Sequence, residues 1–332
     1  MTRARANALI LLLLLGSPAT VLAVGKGNPS FYDRHVIFDN SPSDGGYESS
    51  EGYVVAPSLL ELHEGTAPVE TGYFVSPPNA LRLSWTSAPG GDWRITMEIT
   101  RRYARPFGFE GGALTFWVFS DSEITADNSP RVYLRDVNQH GTPAITLVKQ
   151  NERIPAGQWV QVQLPFAEIF DRPIKGTDDS LFALRETLSV SFIQGLDDGE
   201  AHTLYVDDIQ IRDVLSEDTT PPPAPRAVTV RGFERHFDVS WEPVEADDLL
   251  SYRVYRSWDG EAFEPVGTQQ HSIPRYADFV GTPPREAMYQ VTALDLAGNE
   301  SDPSMLSAAA RTRPFSDDEL LTMVQEAHFR YY

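Results

Sequence analysis

Between Phe31 and Arg212 the apolar residues recur at every second position in short runs, and each run is closed by turn residues. Period-two alternation puts one face of a strand on a core and the other on solvent, and it does not suit an amphipathic helix. Asn79-Ala-Leu-Arg-Leu-Ser-Trp85 alternates in this way, and Trp93-Arg-Ile-Thr-Met-Glu-Ile99 does so more cleanly. Ala113-Leu-Thr-Phe-Trp-Val-Phe119 is apolar on both faces, as expected of a central strand covered on one side and lining a groove on the other. Further strands are read at 131–135, 144–148, 159–164, 188–193 and 203–211. Pro89-Gly-Gly-Asp92, Asn138-Gln-His-Gly141, Pro155-Ala-Gly157 and Asp197-Asp-Gly199 supply the turns. One short helix is read near Phe166 to Phe170. Eight or more strands in ~180 residues predict an all-β fold, a two-sheet jelly roll.

Ser216-Glu-Asp-Thr-Thr-Pro-Pro-Pro-Ala-Pro225 then breaks the pattern; its prolines bar helix and central strand and favour a semi-rigid, extended linker. A second, smaller β-pattern runs from Arg226 to about Ala309, with turn signals at the 8–12-residue spacing of a sandwich. The last residues change character. Ser316 with Glu319 forms a capping box, and Leu320, Val324, Ala327, Phe329 and Tyr331 have helical spacing. An amphipathic helix gains most of its stability by packing, so this one reads as the truncated start of a further domain. At the other end, Arg3 and Arg5, the apolar run Ala8–Leu15 and Val21-Leu22-Ala23 read as a signal peptide. The expected segments are 1–23 signal peptide, 24–215 jelly roll, 216–225 linker, 226–312 second sandwich and 313–332 helical start. The apolar run is too short for a membrane span of about 20 residues. The expected location is therefore secreted or periplasmic.

Charge and composition narrow the function. A net charge of −20 argues against nucleic acid and anionic membrane as partners, because both bind through Lys and Arg. The chain has no cysteine, so disulfides, thiolate metal sites, cysteine nucleophiles and a lipidated N-terminal cysteine are excluded. The seven histidines are scattered singly, and no nucleophile elbow, phosphate-binding loop or dinucleotide fingerprint occurs. The chain as given is expected to be non-catalytic.

Sugar recognition needs flat aromatic faces for C–H bonds and polar groups for hydroxyls. If Leu114, Phe116 and Val118 face the core, Trp117 faces outward; if Val132 and Leu134 do, Tyr133 and Arg135 face outward, and Gln163 follows on its own strand. Trp117, Tyr133, Arg135 and Gln163 are thus expected to share one concave face that binds carbohydrate. The alternative is that Trp117 and Tyr133 pack under a loop or against a neighbouring domain. Parity assigns Trp85 and Trp93 to the core, and Trp258 in Ser257-Trp-Asp-Gly260 to a hairpin tip.

Three stretches resemble known families. Asp218-Thr-Thr-Pro-Pro, Val239-Ser-Trp241-Glu-Pro, Tyr252-Arg-Val-Tyr-Arg256-Ser, Tyr289-Gln-Val-Thr-Ala-Leu-Asp295 and Ala297-Gly-Asn-Glu-Ser301 together resemble a bacterial fibronectin type III domain. That resemblance implies a core Trp241, a corner Tyr289 bonding back to backbone, and a spacer role. Ile37-Phe-Asp39, Pro77-Pro-Asn-Ala-Leu-Arg-Leu83, Gly157-Gln-Trp159-Val-Gln-Val162 and Tyr205-Val-Asp-Asp-Ile209 resemble the galactose-binding-like jelly rolls common among carbohydrate-binding modules. Such jelly rolls often hold a structural Ca²⁺ where the first and last strands meet, and Asp39, Asp207 and Asp208 match that position. Phe315 to Tyr332 resembles the opening helix of bacterial glucoamylase-like glycoside hydrolases, some acting on β-glucans. These resemblances imply the accessory region of an exported glycoside hydrolase. Its partners would be a glucan-type polysaccharide and a C-terminal catalytic domain of the same polypeptide. The alternative is a purely structural brace that binds no sugar.

Overall fold

The computed structural model describes residues 31–40, 50–99, 108–170, 181–213 and 218–331. The signal-peptide reading, residues 214–215 at the end of the expected jelly roll and residues 216–217 of the linker lie outside them. In chain order the first sandwich comprises β1 (Val36–Phe38), β2 (Ser50–Val55), β3 (Leu59–Leu60), β4 (Val69–Glu70), β5 (Ala80–Thr86), β6 (Asp92–Glu98) and β7 (Ala113–Phe119). It continues with β8 (Ile124–Thr125), β9 (Arg131–Asp136), β10 (Ile145–Thr146), β11 (Arg153–Ile154), β12 (Val160–Pro165), α1 (Phe166–Phe170), β13 (Thr187–Ile193) and β14 (Ala201–Arg212). One sheet has the order β12-β7-β14-β5-β3, with β1 also on β14 and β4 on β5; the facing sheet is β10-β9-β13-β6-β2.

The core between the sheets is built as the alternation predicts. Leu114, Phe116, Val118, Leu204 and Val206 come from the first sheet, and Trp93, Ile95, Leu134, Val190 and Phe192 from the second; all are buried. Phe116 meets Phe192 edge to face across the gap, with centroids 5.6 Å apart. Trp85 and Trp93 are core residues, 3% and 0% exposed, and Trp93 Nε1 donates to Ser87 Oγ. Each such side chain contributes roughly 1.5–3 kcal/mol or more through burial, which lets a disulfide-free sandwich stand.

The second sandwich comprises β15 (Arg226–Gly232), β16 (His236–Glu242), β17 (Leu249–Ser257), β18 (Glu264–Gln270), β19 (Arg275–Phe279), β20 (Glu286–Asp295) and β21 (Ala310–Arg311). Its two sheets are β15-β16-β19 and β18-β17-β20-β21, the three-plus-four arrangement of a fibronectin type III sandwich. β2 and β19 were not read from the sequence. Trp241 is core, packed edge-on to Tyr252. The corner expectation is corrected: Tyr289 OH donates to the Asp278 carboxylate on β19, at 2.8 Å, not to backbone. The tyrosines that meet backbone are Tyr252, whose hydroxyl oxygen accepts from Val244 N, and Tyr276, whose hydroxyl donates to Val266 O. Trp258 is at the surface, with the Arg256 guanidinium 4.2 Å from its ring centroid.

Helix α2 (Asp317–Tyr331) starts at the capping box, Ser316 N donating to Glu319 Oε2 and Glu319 N to Ser316 Oγ. Arg313 and these bonds hold the Glu319 carboxyl down to about 2. Leu321, Val324 and Phe329 on α2 are exposed. Among the described residues no helix is long and apolar enough to cross a membrane.

The two sandwiches touch. Tyr32, Val36 and Leu250 form a small buried cluster with Leu296 against it. Arg212, at the end of β14, donates from Nη1 to Leu296 O at 2.6 Å.

Candidate functional site

The outer face of the five-stranded sheet carries a polar and aromatic surface. Three rows cross it by strand register. The first is Arg131, Ile193, Arg94 and Tyr53; the second is Tyr133, Ser191, Thr96 and Glu51; the third is Arg135, Ser189 and Glu98. Neighbouring strands lie about 4.8 Å apart, so four strands span roughly 15 Å, the length of a few sugar rings. Tyr53 is exposed, and Tyr133, Arg94, Arg131 and Arg135 are half-buried. Between them the short side chains of Ser189 and Ser191, both buried, form a floor. The Arg94 guanidinium stands 5.5 Å from the Tyr53 ring centroid. Thr96 and Ser191 share a hydroxyl–hydroxyl bond of 2.9 Å, and Arg131 Nε donates to Gln194 O. In the third row, Arg135 Nε and Ser189 Oγ are buried yet have no protein partner. Buried polar groups are nearly always paired, so this row is short of hydrogen bonds that a ligand's hydroxyls could supply.

The four residues expected to share a groove do not. Tyr133 and Arg135 lie on the face just described, whereas Trp117 on β7 and Gln163 on β12 lie on the outer face of the other sheet. Parity tells which way a side chain points from its own strand, but outward positions of both sheets share the same parity. The sheet bearing Trp117 is covered instead. At one end Tyr73 lies on Tyr205, with centroids 4.7 Å apart and rings 20° from parallel, and closes Phe119 and Trp159 beneath it. At the other end the second sandwich closes over it, and half-buried Trp117 lines a crevice opposite Leu250, Ser251 and Arg253. Gln163 pairs in register with Thr115, and its Nε2 has no partner. Arg94, Thr96 and Glu98 were legible as the outward half of the Trp93–Ile99 alternation. Tyr53 carried no such signal.

Asp39 and Asp207–Asp208 do meet where β1 pairs with β14. Asp207 is fully buried and ringed by donors: Val75 N and Ser76 N bond Oδ2 at 2.6 and 2.7 Å, and Asp208 N and Asn40 Nδ2 bond Oδ1 at 2.8 and 3.2 Å. A carboxylate offers about four lone-pair directions; backbone N–H groups take three of Asp207's, and Asn40 Nδ2, which also donates to Ser76 O and Asn79 O at 2.8 and 2.6 Å, shares its hydrogens with the fourth. Burial and then Asp208 push its carboxyl well up, against the pull of those backbone N–H groups. Asp208 accepts from Gln210 Nε2 at 2.6 Å, and Asp39 from Tyr32 OH at 2.6 Å. Burial and then Asp39 raise Asp208 to about 6. Asn40 Oδ1 and Asn79 Oδ1 at the same junction are buried without partners. Among the described residues the three carboxylates that converge within 4.8 Å are others: Asp218, Asp248 and Asp295 in the second sandwich. There Asp295 accepts from Asn299 N and Nδ2.

The family described as Carbohydrate binding domain 30 has a model that matches residues 34–213. The chain belongs to this family. That span is the jelly roll of a carbohydrate-binding domain 30 module and stops just before the prolines. Over 325 residues the chain is 32% identical to the exo beta-1,2-glucooligosaccharide sophorohydrolase (non-reducing end) of Parabacteroides distasonis. The match takes in 98% of this chain and 43% of that relative, so the chain spans less than half of the curated protein it matches. The crystal structure of a beta-1,2-glucanase from Parabacteroides distasonis superposes with a TM-score of 0.76 at 32% identity. It covers 91% of this chain and 42% of that one. The likeness therefore extends beyond the carbohydrate-binding domain 30 jelly roll into the second sandwich.

Proposed function

We propose that the chain is the non-catalytic, carbohydrate-binding region of an exported glycoside hydrolase, and that it holds a glucan on the outer face of the β10-β9-β13-β6-β2 sheet. The observation that carries this reading is the third row of that face, where Arg135 Nε and Ser189 Oγ are buried without partners beside the Tyr133 ring. Tyr133 and Tyr53 offer ring faces to sugar C–H bonds, and Arg135, Arg94 and Arg131 offer donors to hydroxyls. The relative's name makes a β-1,2-linked glucan the first glycan to try. The parent hydrolase, export and the C-terminal catalytic partner belong to the same proposal.

The test is a binding titration of the whole chain against soluble glucans of different linkage. Tyr133→Ala is expected to weaken binding at least tenfold, since one stacked aromatic is worth roughly 1 kcal/mol or more beyond its burial, with melting temperature unchanged. Trp117→Ala should leave glucan binding at the open face intact. The brace reading is favoured by one observation, the placement of Trp117 against the second sandwich. It takes over if wild type and Tyr133→Ala bind every glycan equally poorly.

Calcium at the β1–β14 junction is a further proposal. Its oxygens would come from Asp39, Asp208 and the side chains of Asn40 and Asn79, with Asp207 outside the shell. Asp208 makes the metal-free protein pH-sensitive in a defined direction. An acid raised to about 6 stays protonated in the folded state where the unfolded chain has lost its proton. Its contribution is therefore fully present below pH ~4 and is lost as pH rises through 6. Metal-free protein is expected to lose several degrees of melting temperature from this group between pH 4 and 7, and Asp208→Asn should flatten the loss. Millimolar Ca²⁺ should restore the loss at pH 7 in wild type; no rise would remove calcium from the junction.

A further inference from the structure

The crevice between the two sandwiches has a volume of ≈280 Å³ and is lined from both sides. On the jelly-roll wall stand Trp117, Gln161, Gln210 and Arg212. Arg212 is 3% exposed and Gln210 5%, yet Arg212 Nε and Nη2 and Gln210 Oε1 have no hydrogen-bond partner. On the opposite wall Thr268 is 4% exposed with Oγ1 unpartnered, and Arg253 Nε is unpartnered as well. Five buried polar atoms, donors and an acceptor among them, thus belong to residues that line one space from two walls, beside one aromatic ring. Leaving a buried donor or acceptor unmade costs roughly 1–3 kcal/mol each, so the space is not dry.

Charge selects what fills it. Arg212 and Arg253 face Asp295 and Glu300 and, in the metal-free protein, Asp39 and Asp208 as well, so the crevice has no excess positive charge in a chain of net charge −20. An anionic ligand such as a uronic acid or a sugar phosphate is disfavoured. A neutral polyol is not, since each hydroxyl both donates and accepts. Clefts for drug-sized ligands run roughly 300–1,000 Å³, so this one suits a single sugar ring, not a chain. We infer that the crevice binds one neutral hexose unit, its C–H face on Trp117 and its hydroxyls on Gln210, Arg212 and Thr268. The site is separate from the open sheet face and does not depend on it, since its walls belong to two different domains.

The test uses the whole chain carrying Tyr133→Ala, which weakens the open face, titrated with D-glucose, D-galactose and D-mannose by calorimetry and tryptophan fluorescence. Saturable binding of at least one hexose is expected. Thr268→Val should weaken that binding about tenfold, the worth of one buried hydrogen bond, while melting at or above the parent because an unpaired hydroxyl has gone. Trp117→Phe should abolish the fluorescence change. No saturable response to any hexose would show that the crevice holds water only, roughly nine molecules at about 30 Å³ each, and would overturn the inference. So would binding unaltered by Thr268→Val.

Discussion

Asp207→Asn is expected to lower the melting temperature of the whole chain by roughly 5–10 °C, taking 2–4 °C per kcal/mol for a chain of this size. The reason lies in the four donors around this carboxyl, two on each oxygen. An asparagine can present only one oxygen. If its NH₂ takes the place of Oδ2, Val75 N and Ser76 N lose their acceptor; if it takes the place of Oδ1, Asp208 N does, while Asn40 Nδ2 keeps Ser76 O and Asn79 O. Each buried donor left unpaired costs about 1–3 kcal/mol. In the first orientation Val75 and Ser76 are released from β14, and in the second Asp208 N is, which hydrogen exchange at these amides distinguishes. A melting temperature equal to or above wild type would mean that burial wins outright and that the native protein carries Asp207 as a neutral acid.

The second large effect lies in the other sandwich. Asp278 is 5% exposed and its Oδ2 accepts both Tyr289 OH and Arg256 Nη1, each at 2.8 Å. Burial, with Asp278 next, raises the Tyr289 hydroxyl far above its ordinary value, so it stays a donor at every physiological pH. Asp278→Ala strands this donor and part of the guanidinium in the interior, and we expect a loss of about 3 kcal/mol, as for a broken buried pair. Arg256 keeps Glu264, which limits the damage. Urea unfolding of Asp278→Ala, Tyr289→Phe and the double variant checks the cause. The double variant should recover part of the loss, because the orphaned hydroxyl has been removed. Strict additivity would place the cost elsewhere.

Much of this architecture was legible because alternation is a local property. The runs at 79–85, 93–99 and 113–119 appear as β5, β6 and β7 with their core faces as read, and Trp85 and Trp93 are inside. The run at 144–148 shrank to a two-residue strand, Ile145–Thr146. β2 escaped notice because Ser50-Glu-Gly-Tyr-Val-Val55 has glycine where an inward apolar residue would stand; Gly52 faces Ile95, and a Cβ there would meet the Leu62 side chain at 2.2 Å. The candidate site was half legible. Tyr133 and Arg135 could be found from parity, but grouping them with Trp117 and Gln163 required knowing which sheet each strand joins. That is decided by pairings such as β13 with β9 and β12 with β7, between residues dozens of positions apart. The Asp207 environment was equally out of reach, since its donors come from Asn40 and the 75–76 loop.

The contacts joining the two sandwiches have a mechanical meaning. Pro222 and Pro225 are buried, Arg212 donates to Leu296 O, and Tyr32, Val36 and Leu250 form a buried cluster, so the described residues of the two sandwiches are held to one another by packed contacts. A module on a loose tether searches a volume, and its benefit to a neighbour is an averaged local concentration. On the function proposed above, a module clamped in this way would act as a jig: a polymer across the β10-β9-β13-β6-β2 sheet would be offered to its neighbour at one bearing and one offset. Any gain would then depend on the pitch and bend of the polymer more than on how much of it is nearby.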